Sequence, residues 1–172
     1  MTRWSTLERV PLEPDFDTAS AHRYFAAHCF NRCWQLIDKP ARSPEESTEL
    51  VALGHASLWH WTQRADCTPK NLSVAHWMLS RIYAVLGDAS PAQEHGEACL
   101  RFAESGDSPP FYVGCAHEAL ARAAVVRGDR TEAEAQLTRA HSLAETIEDA
   151  DDRKLLLDDL SSVRSSLDLK SS

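Results

Sequence analysis

The chain has no long apolar run. Its longest uninterrupted apolar stretch falls well short of the roughly 18–20 residues needed to cross a bilayer, so no membrane partner is expected. Its opening residues, Met1-Thr2-Arg3-Trp4-Ser5, carry no apolar signal core, and Glu8, Glu13 and Asp15 follow; export is not expected. Basic charge is also short. Eighteen Lys and Arg face 26 Asp and Glu, a net charge of -8. No Lys/Arg cluster supplies the counterion release on which nucleic-acid affinity rests, which argues against a nucleic-acid partner. The five cysteines, Cys29, Cys33, Cys67, Cys99 and Cys115, are odd in number and widely spaced, which argues against a disulfide framework. Several stand in apolar helical patterns, where a reduced thiol acts as a small hydrophobe, and a cytoplasmic location fits. There is no G-x-S-x-G, no P-loop and no dinucleotide glycine fingerprint. Catalysis is not expected, and neither is a cofactor.

Glycine is scarce as well, with six in 172 residues, while alanine and leucine are abundant, which favours helix. No useful stretch alternates apolar and polar residues, so no strand is predicted. Residues 1–16 hold Pro11 and Pro14 without a helical period, yet Trp4, Leu7, Val10, Leu12 and Phe16 are too apolar for a solvated tail. They predict an extended arm lying on a single helical domain over 17–172. The first of seven predicted helices runs from Asp17 to Asp38 and is stopped by Pro40. The second starts at Ser43-Pro44-Glu45-Glu46, a capping serine, a first-turn proline and two acids at the positive helix end. It runs to about Gln63. The third follows Thr68-Pro69 and ends at Leu86 before Gly87; the fourth runs from Ser90-Pro91 to Glu104. The fifth starts near Ser108-Pro109 and ends at Arg127 before Gly128, and the sixth runs from Arg130 to about Ile147. The last, 150–167, carries a seam of Leu156, Leu160, Val163 and Leu167 beside an acidic face. The seam suits a terminal capping helix, and it also suits pairing with a second copy, so the chain is expected to be a monomer or a homodimer through this helix.

Shifting the sequence by 41 residues aligns 75–104 with 116–145, and ten of the 30 positions are identical, where chance gives about two. The matches include His76/His117, Leu79/Leu120, Arg81/Arg122, Gly87-Asp88/Gly128-Asp129 and Ala92/Ala133. Glycine there can end one helix in the left-handed conformation, and aspartate can help cap the next. One unit reads His76-x2-Leu79-Ser80-x2-Tyr83, then Gly87-Asp88, then Ala92; the next reads His117-x2-Leu120-Ala121-x2-Ala124, then Gly128-Asp129, then Ala133-x3-Leu137. This pattern resembles the tetratricopeptide repeat, W-x2-L-G-x2-Y then A-x3-F then P. The leucine, the small residue, the Gly-Asp turn and the alanine match. The tryptophan and final proline do not, and Gly96 stands where phenylalanine belongs. The 41-residue period looks more like the longer repeats of kinesin light chains and some bacterial regulators. The resemblance covers 74–147, with 17–63 as a degenerate first pair. It implies an all-α, right-handed superhelix of antiparallel helix pairs that works as a scaffold or interaction module for a protein or peptide.

The resemblance also implies that the first helix of each pair lines a concave surface. Trp77, Arg81, Val85, Glu118, Arg122 and Val126 would then form the partner-binding face. Arg81 and Arg122, one repeat apart, offer two planar donor forks suited to an acidic group or a C-terminal carboxylate. The competing reading is that they pair with internal acids such as Glu94 or Glu118 and only staple the repeats. A second candidate pocket is the His/Trp-rich stretch of the second helix, His55, Trp59 and His60, with His76, able to take a small molecule or a metal. A buried, satisfied core is the plainer account of that stretch, which is apolar on two faces. No two histidines are four apart, so no metal is expected. Cys29 and Cys33 share a helix face, as a redox pair or as two buried small residues beside Trp34.

Overall fold

The computed structural model describes residues 14–169. They form seven helices and no strand: α1 (Thr18–Ile37), α2 (Pro44–Thr62), α3 (Pro69–Leu86), α4 (Ala89–Glu104), α5 (Pro110–Arg127), α6 (Arg130–Ala144) and α7 (Ala150–Leu169). Of the arm expected over 1–16, residues 1–13 lie outside the described residues, and Phe16 is exposed. No described helix is long and apolar enough to cross a membrane.

Local chemistry sets the helix ends. Asp17 Oδ1 accepts the Ala19 and Ser20 N–H groups at the start of α1. Ser43 and Glu46 cap each other ahead of α2, and Thr68 and Asn71 do the same ahead of α3, each satisfying donors that the first helical turn leaves free. Gly87 and Gly128 close α3 and α5 at φ 82° and 80°, a conformation that costs a side chain about 1–2 kcal/mol. The aspartate that follows behaves differently in the two copies. Asp129 accepts the Glu132 N–H at 3.0 Å, while Asp88 makes no side-chain cap bond. Two starts also differ from the sequence expectation. α4 begins at Ala89, which leaves Pro91 in a first turn that needs no N–H from it, and α5 begins at Pro110 after Pro109.

Each helix packs on the next, as α1 on α2, α3 on α4 and α5 on α6. The odd-numbered helices also touch each other, α3 against α5, α5 against α7 and, more lightly, α1 against α3. Among the described residues, the backbones of α2, α4 and α6 stay apart, and α2 meets α4 through the His55 and His95 rings. α5 is enclosed by α3, α4, α6 and α7, and ten of its residues are buried, five of them alanines that let backbones come close. At the far end, Leu156, Leu160, Val163 and Leu167 of α7 are buried with Leu137, Ala140 and Val125. Full burial of each such leucine contributes about 1.5–3 kcal/mol. All four seam residues are buried within the chain. A second core joins Cys33 and Leu36 to Leu50, Met78 and Ile82.

The 41-residue shift has a counterpart in contacts. His76 Nδ1 meets His95 Nδ1 at 2.9 Å across α3 and α4, and the shifted pair, His117 Nδ1 and Gln136 Oε1, meets at 2.6 Å across α5 and α6. Gly96 lies close against the next helix: a Cβ there would stand 2.9 Å from Leu120 Cδ2, so Leu120 occupies the space that a side chain would need.

Candidate functional site: an aromatic groove over a buried charge network

The light contact between α1 and α3 leaves a cavity of about 420 Å³ where α1, α3, α5 and α7 face each other. Its walls are mainly Phe30, Trp34, Trp77, Phe111, Tyr112 and Leu155, with Arg81 and Asp159 on one side. A second cavity of about 240 Å³ continues it toward the end of α2 and shares Phe30, Val74 and Tyr112. Together they make one trench, apolar and aromatic for most of its length. Its volume falls in the range that takes a drug-sized molecule or the large side chains of a peptide. Leu155 is 55% exposed at the rim.

A chain of buried polar contacts runs behind this wall. Trp77 Nε1 donates to Glu118 Oε2 at 2.9 Å, and these two residues are one 41-residue step apart. Arg122 donates to the other oxygen, Glu118 Oε1, through Nε at 2.8 Å and Nη2 at 2.5 Å. Glu118 is only 1% exposed, and both of its oxygens are satisfied. Arg81 Nη2 donates to Asp159 Oδ1 at 2.7 Å, and Arg122 Nη2 lies 4.0 Å from the same oxygen. The Arg81 guanidinium is also held against two indoles, 5.1 Å from the Trp34 ring centre and 5.2 Å from that of Trp77. Burial works against its charge. The Asp159 hydrogen bond and the charges of Glu118, Asp159 and Asp38 outweigh that, so Arg81 stays above the ordinary arginine range. Its Nη1 is buried without a hydrogen-bond acceptor. Two guanidiniums and two carboxylates therefore form a neutral staple joining α3, α5 and α7.

The expected partner-binding face is divided. Trp77 and Arg81 line the large cavity, while Arg122 and Val126 line another of about 380 Å³ with Val85 and Val163. Glu118 is buried between them.

The second candidate pocket does not come together. Trp59 is 54% exposed, so α2 is not the buried helix its composition suggested; α1 and α3 cover its flanks and leave its outer side open. His60 Nδ1 meets His22 Nδ1 at 2.8 Å on the α1 side. His55 turns the other way, with Nε2 at 2.8 Å from the Tyr83 hydroxyl and its ring 5.6 Å from His95, the partner of His76. Burial and the neighbouring His95, Arg101 and His55 hold His76 down to about 4; burial and His55 lower His95, and burial and His22 lower His60. Among the described residues, no group of three or more His, Cys, Asp or Glu side chains could hold a metal. Cys29 and Cys33 are both buried and free. Burial, then Cys29, pushes Cys33 up to about 12, the opposite of a reactive thiolate.

Phe30, Phe111, Tyr112, Leu155 and Asp159 were not singled out as site residues in the sequence. Leu155 and Asp159 are one turn apart on α7, flanking the Leu156-Leu160 seam, and that flank position was the available signal. No protein-family model, curated protein or solved structure matches this chain.

Proposed function

We propose that this chain is a non-catalytic binding module that holds an apolar protein or peptide segment in the trench formed by α1, α3, α5 and α7. The observation that carries the proposal is the trench itself: aromatic walls from four helices around about 420 Å³, continued by about 240 Å³ more. Support for a tetratricopeptide-like, superhelical stack comes from the odd helices packing backbone to backbone while the backbones of the even ones stand apart, which favours curvature toward the odd side. It also comes from the Trp77–Glu118 bond and the recurring His76–His95 and His117–Gln136 contacts, all in the 41-residue register. The free cysteines fit a reducing cytoplasm.

Apolar contact, rather than charge, selects the partner in this reading. A carboxylate arriving at Arg122, or at Nη2 of Arg81, competes with Glu118 or Asp159, whose burial makes that exchange unfavourable. The two arginines hold the aromatic wall in place, and the indole and phenol rings supply the contact area.

The test is selection of binders from a displayed peptide library, followed by calorimetric titration. Peptides rich in Trp, Phe and Leu are expected, with binding at least about tenfold weaker for Leu155→Arg and an unchanged melting temperature, because Leu155 already faces water. Selected peptides that bind Leu155→Arg as well as the parent chain would place the binding surface elsewhere.

A further inference from the structure

We propose that Arg81 is the polar anchor of the trench, and that the segment bound there meets it with a neutral amide: the amide C=O accepts from Arg81 Nη1, and the amide N–H donates to Asp159 Oδ2. With the binding reading above as its basis, this contact fixes the chemistry that the apolar partner must carry.

The need for it arises in the repeat. Arg81 and Arg122 are equivalent in the 41-residue shift, and so are Trp77 and Glu118. On α5, Glu118 stands one turn before Arg122 and accepts from both its Nε and its Nη2. On α3 that place belongs to Trp77, whose indole offers Arg81 no acceptor and donates its own N–H to Glu118. A guanidinium has five N–H donors. Among the described residues Arg81 has one acceptor, Asp159 Oδ1 at 2.7 Å from Nη2, and Nη1 is buried with none. A buried charged donor without an acceptor is unfavourable, so a bound group that supplies one gains affinity by doing so.

The surroundings limit what that group can be. Arg81 and Asp159 both line the larger cavity, on a wall that is otherwise mainly aromatic. The two arginines already balance Glu118 and Asp159, so an anionic acceptor would add an unpaired charge to a buried network. A carbonyl adds none. Asp159 Oδ2 makes no hydrogen bond among the described residues, and its sister oxygen holds Arg81. The site therefore asks for a donor beside the acceptor, which an amide has and an ester lacks. Because Nη1 is covered, one of the two indoles over the guanidinium has to give way. Trp77 is tied to Glu118, whereas the Trp34 indole N–H makes no hydrogen bond among the described residues and α1 touches α3 only lightly. Trp34 moves aside to admit the amide, which comes from a peptide main chain or from an Asn or Gln side chain.

The experiment uses the full-length chain. Hydrocinnamamide, methyl hydrocinnamate and hydrocinnamate share one phenyl body, and each is titrated while the Arg81 guanidinium and Trp34 indole N–H signals are followed by NMR. The amide is expected to bind at least about tenfold more tightly than the ester or the carboxylate, and to shift both signals. Unmoved Arg81 signals, or tightest binding by the carboxylate, overturn the proposal. A peptide selected from the displayed library is then made with each main-chain amide replaced in turn by an ester, and with each Asn by Leu and each Gln by Met. These are titrated into the parent chain and into the paired variant Arg81→Met, Asp159→Leu. One replacement is expected to weaken binding to the parent at least about tenfold and to the paired variant less than about twofold, and its position tells a main-chain amide from a side-chain one. Equal losses in both chains, or none, overturn the amide contact; if Leu155→Arg still weakens that peptide, the trench reading stands without it. Should the paired variant unfold, the three small probes in the parent chain decide.

Discussion

Replacing Asp159 by alanine isolates the staple that underlies the trench. The substitution removes the carboxylate 2.7 Å from Arg81 Nη2 and leaves a guanidinium whose side chain is only 13% exposed. Removing one partner of a buried pair costs about 3–5 kcal/mol, because the remaining charge loses its compensation. Arg81 keeps part of it. The Glu118 charge stays close, and two indole faces each contribute about 0.5–2 kcal/mol. The expected loss is therefore about 2–3 kcal/mol, or a fall of roughly 5–10 °C in melting temperature for a domain of this size. Urea unfolding followed by circular dichroism at pH 7, with calorimetry for the melting temperature, gives both numbers. The pair Arg81→Met with Asp159→Leu removes both charges together and is expected to return to within about 1 kcal/mol of the parent chain, a coupling of about 2 kcal/mol. Reversing Arg81 and Arg122 together should destabilise strongly, where a pair reserved for a ligand would leave stability unchanged. A loss below about 0.5 kcal/mol for Asp159→Ala, or simple additivity in the cycle, refutes the staple.

Two further outcomes follow from packing and protonation. His76, held down to about 4, and His95, also lowered, are kept neutral in the fold, while the unfolded chain protonates near 6.5. The unfolded state binds more protons between those values, so stability is complete above about pH 6.5 and falls as pH drops toward about 4. His76 accounts for about 1–2 kcal/mol of that fall once screening at a half-open site is allowed for. Unfolding free energy measured against pH in parent and His76→Gln chains checks this, and an unchanged slope between pH 6.5 and 4 would contradict it. Separately, Gly96→Val should cost about 1–3 kcal/mol in urea unfolding, because even its Cβ would stand 2.9 Å from the buried Leu120. A neutral result would mean that Leu120 can move aside.

What the sequence discloses about this chain depends on how local the responsible physics is. Caps and stops are local, and Ser43-Pro44, Thr68-Pro69 and the glycines at 87 and 128 set helix ends within a residue or two. The seam of α7 is also local, since four residues at helical spacing define one face, and all four are buried. Partner choice within the charge network is not local. Arg81 and Asp159 are 78 residues apart, and nothing in their own neighbourhoods selects one for the other. Asp159 reads as one more solvated acid until α7 folds back onto α5. The repeat narrows that gap only where both partners lie inside it: Trp77 and Glu118 occupy equivalent positions, so the 41-residue shift already contained their contact. The trench lies at the edges of the 75–145 self-alignment, where α1 and α7 meet α3 and α5. Its walls come from α1 and α7, whose residues have no counterpart in the shifted alignment, as much as from α3 and α5. The strongest sequence signal therefore covers only part of the lining, and the rest comes from helices it does not reach.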